Sequence, residues 1–341
     1  METEQSNFDV IVVGAGISGI GAGYHLQEQC PNKSFVILEG RETFGGTWDL
    51  FRYPGVRSDS DMHTMGFRFK PWIDERFIAD GSSIMNYLDE TISENNLKDK
   101  IRYQCKVISS SWSSSESKWT LEVENSSSET INKYKCKFLM LCGGYYNYEE
   151  GHNPDFKNQE QFNGPIIHPQ KWPEDLDYKN KKVVIIGSGA TAVTIVPAMA
   201  DQVDQITMLQ RSPTYFMAAP DRDMIGNFFK KIFPQKTAYF LTRWKNILMG
   251  NFFYNRCVKN PEKVKEMLIN GVRDHLGEGY DIDTHFTPRY KPWDERLCFV
   301  PNADFFEAMK AGKASVVTDQ IDEFTKTGIK LKSGKQLDAD I

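Results

Sequence analysis

Two glycine-rich turns, each set between an apolar run and a helix of small residues, constrain this chain more than any other feature. In the first, the run Phe8–Val13 leads into Gly14-Ala15-Gly16-Ile17-Ser18-Gly19, and a second run, Ser34–Leu38, ends at Glu39. Short continuous apolar runs are the mark of parallel strands buried on both faces. Glycines in such a turn let the backbone approach a diphosphate seated on the helix N-terminus, and the acid takes a ribose hydroxyl. Strand, glycines, helix, strand and acid in register carry far more weight than GxGxxG alone.

The second turn repeats the plan with one change. Lys181–Ile186 precedes Gly187-Ser188-Gly189-Ala190-Thr191-Ala192, and the next strand, Gln205–Gln210, ends in Arg211-Ser212. Where the first unit has Glu39, this one has Gln210 and Arg211. An acid there favours a free ribose hydroxyl, whereas a guanidinium pairs with a 2′-phosphate. The first turn therefore suits FAD, through Gly14, Gly16, Ser18, Gly19 and Glu39. The second suits NADPH, through Gly187, Gly189, Thr191, Ala192, Arg211 and Ser212.

Three further segments carry chemistry. FNGPIIHPQKWP lies between the two turns, with fixed points at Phe162, Gly164, His168, Trp172 and Pro173. Its aromatics can anchor a connector by burial, and His168 adds a titratable group able to report a ligand or a conformational change. FGGTWDLFRYPGVRSDSD follows the first unit's second strand. Gly45 and Gly46 permit close backbone approach there, Thr47 and Trp48 follow, and Asp59 alone would be an acid in a surface turn. HFTPRYKPWDERLCFVPNADFF, near the end, is dense in arginines and aromatics.

Together these segments resemble the Baeyer–Villiger monooxygenases, flavoproteins that insert oxygen beside a carbonyl using NADPH and O2. The nearest branch is the one that includes the ethionamide-activating monooxygenases, and the resemblance spans essentially the whole chain. It implies an α/β fold of two Rossmann-like domains, with a β-meander in the first and a helical excursion in the second. The expected layout is an FAD-binding domain over 1–148, a linker with the fingerprint over 149–180, and an NADPH-binding domain over 181–341 with its insertion at about 222–285.

The implied reaction converts ketones to esters or lactones and also oxidises sulfides. Hydride passes from NADPH to flavin, O2 is trapped as a C4a-peroxide, and an arginine stabilises that anion. By order, Arg296 matches the family's arginine, with Arg289 as rival. Asp59 falls beside the flavin ring and orients the arginine, and His168 completes the catalytic candidates. Gly46, Thr47 and Trp48 join the flavin contacts. Glu295 stands where many relatives carry a lysine that meets the NADPH phosphate. Relatives also return to the FAD domain through a C-terminal segment absent here, so this chain is expected to be a C-terminally truncated piece of a longer parent. The 341-residue chain alone should then bind FAD weakly and be uncoupled. A flavin monooxygenase acting on nitrogen or sulfur, or an inactive cofactor-holding remnant, are the alternatives.

Composition narrows the partners. A formal charge of −5 argues against nucleic acid, which needs clustered cations. The N-terminus lacks the basic and apolar regions of a signal peptide, and no apolar run approaches a spanning helix. The six scattered cysteines offer no close redox pair, fit a reducing, cytoplasmic setting, and leave no metal site expected. The aromatic, basic stretch 223–257 reads first as a helical cover over the substrate mouth. Its second reading is a peripheral membrane contact.

Overall fold

The computed structural model describes residues 6–341. The chain divides into two compact units: one running to Phe51 and resuming over Gly81–Gly151, the other comprising Arg52–Asp80 and His152–Ile341.

In the first unit, β1 (Asn7–Val13) turns into α1 (Ile17–Gln29) and then β2 (Phe35–Leu38). After the single-turn α2 (Thr47–Leu50) the chain enters the second unit, forms α3 (Met62–Met65), and returns to the first as α4 (Gly81–Glu94). β3 (Ile101–Arg102), β4 (Cys105–Ser113), β5 (Lys118–Asn125) and β6 (Thr130–Leu141) complete a six-stranded sheet of order β3-β2-β1-β6-β5-β4. The β3-β2-β1-β6 part is parallel, and β6, β5 and β4 form the antiparallel meander expected in the first domain. Ile11, Val36, Leu38, Leu121, Val123 and Tyr134 make one buried cluster spanning both parts. Each such side chain contributes about 1.5–3 kcal/mol by leaving water.

The second unit repeats the doubly wound start with β7 (Lys182–Ile186), α5 (Ala190–Met199) and β8 (Gln205–Gln210). β9 (Tyr215–Ala219) is followed by four helices, α6 (Met224–Ile232), α7 (Gln235–Lys259), α8 (Pro261–Leu276) and α9 (Ile282–Phe286). β10 (Leu297–Pro301) then pairs parallel to β9, so the helical excursion is the crossover that a parallel pair demands. α10 (Asp304–Lys310) leads to β11 (Ala314–Thr318), which closes a parallel sheet of order β11-β8-β7. β12 (Ile321–Thr325), β13 (Gly328–Leu331) and β14 (Gln336–Asp338) form a small antiparallel sheet. Beyond it Asp340 N–H bonds Lys182 O at 2.7 Å, and Ile341 O accepts from Val184 N–H at 3.0 Å, along the edge of β7.

From sequence, residues 52–80 belong with the first nucleotide domain; in the structure they pack with the second unit. The cause is a set of contacts to α5 and α10. A Cβ added at Gly55, whose φ is +76°, would lie 2.6 Å from Ala198 Cβ and 3.2 Å from Thr194 O. Arg57 forks onto Asp304 at 2.5 and 3.3 Å. The α/β class and the two Rossmann-like units are as the sequence implies.

Candidate functional site

The first glycine turn is held by its own backbone and by Glu39. Gly14 has φ +100°, and a Cβ there would meet Cys142 O at 2.6 Å. At Gly19 a Cβ would sit 1.8 Å from Gly14 O, so only glycine lets α1 lie this close to the turn. The buried Glu39 carboxylate accepts from Ala15 N–H at 2.6 Å through one oxygen and from Arg41 N–H at 3.0 Å through the other. Helix α1 starts at Gly16 with no side-chain cap, leaving first-turn N–H groups open beside exposed Ser18. Gly46 (φ 57°, ψ −120°) caps α2, which carries Thr47 and half-buried Trp48. Arg41 stands 2.5 Å from Asp49 and over the Tyr148 ring, a bracing that the sequence did not suggest.

The second turn is more open. Gly187 has φ +124° with nothing within 4 Å of an added Cβ, and α5 begins at Gly189 without a side-chain cap. Thr191 is half-buried and meets the hydroxyl of buried Tyr53, whose pKa burial pushes up. Ala192, 5% exposed, fills the place that glycine holds in the first turn. At the end of β8, Gln210 faces inward: its Nε2 donates to His285 O and to Thr318 Oγ1, both at 2.8 Å. Arg211 and Ser212 are exposed, and Ser188 Oγ donates to Ser212 O at 3.4 Å. Leu38 O and Leu209 O accept from the first glycine of their respective turns, so Gln210 takes the place of the buried Glu39 and the exposed Arg211 guanidinium follows it by one residue.

Arg296 is exposed, and its Cδ comes 4.0 Å from the place of a Gly189 Cβ, on the rim of this second turn. Its backbone is pinned, since Tyr290 Oη and Thr214 Oγ1 both donate to Arg296 O, at 2.8 and 3.1 Å. Sequence reasoning missed both hydroxyls; the RYKPW pattern, which puts Tyr290 beside Arg289, was the available signal. Asp59 is exposed and accepts from Ser60 Oγ at 3.1 Å. No ion pair joins Asp59 to Arg296 among the described residues, but both charges act on Cys298. Burial pushes that thiol up to about 11; Arg296 pulls it down and Asp59 pushes it up. Arg289 is exposed.

The fingerprint residues belong to the second unit's framework. Phe162 packs against Phe324, with ring centroids 6.1 Å apart, in the cluster under β12–β14. A Cβ at Gly164 would fall 2.0 Å from Asp340 O, which explains the glycine. His168 caps the short 3-10 turn Pro169–Lys171, its Nδ1 accepting from Gln170 N–H at 3.2 Å. Partial burial, with His152 and Lys171 nearby, lowers its pKa and favours the neutral acceptor. Trp172 meets Tyr178 edge-on.

Neither of two cavities in the second unit touches the candidates at the glycine turns. One, of about 690 Å³, lies among Gly164, Lys182, Lys326 and Asp340. The other, of about 200 Å³, is lined by His63, Trp72, Lys230 and Tyr239.

Two Rossmann-type units with uncapped glycine turns, one closed by an acid and one ending in an exposed arginine, define a two-dinucleotide oxidoreductase. The family model described as pyridine nucleotide-disulphide oxidoreductase matches residues 11–224, although all six cysteines are free. The chain is 53% identical over 336 residues to the FAD-containing monooxygenase EthA of Mycobacterium tuberculosis, covering 98% of this chain and 68% of that protein. It is 51% identical over 338 residues to a probable FAD-binding monooxygenase AlmA of an Acinetobacter species, covering 99% and 68%. Its fold matches an oxidized steroid monooxygenase bound to NADP at TM-score 0.79, with 20% identity over 98% of this chain and 70% of that one. It also matches cyclohexanone monooxygenase from Rhodococcus sp. Phi1 bound to NADP+ at TM-score 0.77, with 19% identity over 99% and 70%. The chain belongs to the FAD-containing flavin monooxygenases.

Proposed function

We propose that this protein is an FAD- and NADPH-dependent Baeyer–Villiger monooxygenase that converts ketones to esters or lactones and also oxidises sulfides. The fit of each cofactor rests on the turns themselves. At the first, the open N–H groups of α1, the close approach allowed by Gly14 and Gly16, and the buried Glu39 carboxylate suit the diphosphate and ribose of FAD. At the second, the uncapped start of α5 and exposed Arg211 suit the diphosphate and 2′-phosphate of NADPH. When bound, the flavin supplies the oxygen-activating redox centre and NADPH the hydride.

The chain supplies charge and position. Carrying oxygen to a carbonyl develops negative charge, and a fixed cation in a water-poor site stabilises it. Arg296 is suited to this because a guanidinium stays charged at every working pH. Its pinned backbone holds the side chain's root, so little orientation is lost when substrate arrives. Asp59 adds a balancing charge in the same neighbourhood. The observation that most supports this function is the exposed Arg296 guanidinium on the rim of the arginine-ended turn.

The test follows NADPH consumption by the full-length protein with a ketone, with a sulfide and with neither, measuring ester, sulfoxide and H2O2. Ester formation matched to NADPH supports the proposal. Sulfoxide without ester from any ketone makes it a sulfur-oxidising enzyme, and H2O2 alone makes it an uncoupled oxidase.

A further inference from the structure

We propose that the outward face of α6 and α7 is a docking surface for an anionic lipid membrane. This goes beyond the proposed reaction and does not rest on it.

The charge pattern is the first observation. From Met224 to Asn260 the chain holds seven lysines and arginines and no aspartate or glutamate, in a protein whose acids outnumber its bases by 46 to 41. Three of the seven face inward. Lys230 Nζ donates to Ile73 O and Asp74 O, Arg243 to the carbonyls of His63, Thr64 and Gly66, and Lys245 pairs with buried Asp223 at 2.5 Å. The other four, Lys231, Lys236, Arg256 and Lys259, are exposed and have no ion-pair partner among the described residues.

The apolar pattern is the second. Phe240, Trp244, Leu248 and Phe252 follow one another at i, i+4 along α7, and each is about half exposed or more, up to 63% at Phe252. Side chains at that spacing touch and form a ridge, as the edge-to-face contact of Phe240 with Trp244 shows. On α6, Met224, Ile225, Phe228 and Ile232 are exposed to a similar degree. Pro234 separates the two helices, so they form two short amphipathic elements and not one long rod. Towards its C-terminal end α7 exposes residues on nearly all sides, with Cys257 its buried residue there.

Partner chemistry follows from the combination. An apolar ridge bordered by unpaired cations is what binds the headgroup–acyl boundary of a bilayer carrying negative lipids. A second copy related by a two-fold axis would bring like cations together at the same face. No helix among the described residues is long and apolar enough to cross a membrane, so the contact is peripheral. Of the two readings of this stretch, the membrane contact is the one that the outward cations and the exposed ridge favour.

The full-length protein is sedimented with phosphatidylcholine vesicles that contain or lack phosphatidylglycerol, at low and high salt. Binding should require phosphatidylglycerol and fall with salt. Lys231→Glu with Lys236→Glu should weaken it by about fivefold per charge lost. Leu248→Ser with Phe252→Ser should weaken it further, with NADPH consumption in solution unchanged for both variants. A tryptophan emission blue shift on adding vesicles should disappear in Trp244→Phe. Absence of phosphatidylglycerol-dependent binding overturns the proposal. So does binding that all these variants retain, and so does light scattering in which the serine variants only dissociate a dimer.

Discussion

At the first glycine turn a buried glutamate reaches back to Ala15 N–H, whereas at the second Gln210 is turned inward and Arg211 stands in solvent. Gly19 is forced by the Gly14 carbonyl, while Ala192 already fits beneath the second turn. The same strand–turn–helix plan is thus finished in two ways. The first is a tight, carboxylate-led socket whose geometry leaves no slack. The second is looser and cation-led, with Arg296 on its rim and the segment Arg52–Asp80 packed against its helices.

The sharpest way to break this comparison is to exchange the residue at the third small position of each turn. Gly19→Ala places a Cβ 1.8 Å from a backbone oxygen that cannot rotate away, and should cost about 3–5 kcal/mol with loss of bound flavin. The reverse change in the second unit, Ala192→Gly, should cost only about 0.5–1 kcal/mol. Denaturant midpoints and flavin fluorescence read both. Equal costs would mean that the two turns are equally tight.

Acid should separate the units next. Burial, with Lys230 and Lys245 opposing Asp61 and Asp223, lowers the His63 pKa from its ordinary 6.5 to about 4. Its Nδ1 is buried without a hydrogen-bond partner among the described residues. A folded-state pKa below the unfolded one means that the unfolded chain takes up the proton first. The stabilisation is therefore complete above about pH 6.5 and is lost as pH falls towards 4, by up to about 3 kcal/mol. Hydrogen exchange should show the second unit loosening in that window and the first unchanged, with His63→Phe flattening the effect. A uniform loss across both units would refute it.

Smaller still is the effect of Arg211→Ala, which should lower the NADPH/NADH ratio of kcat/KM by about tenfold. A guanidinium–phosphate pair contributes roughly 1.5–3 kcal/mol, and Glu295 in place of a family lysine points to the lower end. An unchanged ratio would remove Arg211 from cofactor selection.

Much of the second unit's plan was legible because its signals are local. Apolar runs, glycines and the change from Glu39 to the pair Gln210-Arg211 each lie within a few residues of the element they specify. The path of Arg52–Asp80 was not, since it depends on partners over a hundred residues away: Tyr53 on Thr191, Gly55 under Ala198 and Arg57 on Asp304. Nothing in RYPGVRSD distinguishes a segment that stays with the preceding GGTW from one that leaves it. Gly164 was visible as a fixed point of the fingerprint, but its cause, the Asp340 carbonyl, is equally remote. The same holds for Tyr290 and Thr214, whose hydroxyls matter only because they converge on one carbonyl of Arg296.

The central claim is that Arg296 supplies the charge for oxygen transfer to a carbonyl and is not needed for the hydride step. Rapid mixing of the full-length Arg296→Ala variant with NADPH, and then with O2 and a ketone, tests it directly. The predicted result is bleaching of the flavin by NADPH within a fewfold of the parent rate, with ester formation reduced by about 10²–10³-fold and NADPH equivalents appearing as H2O2. Ester formation at the parent rate would contradict the account and move the role to Arg289 or to another group altogether.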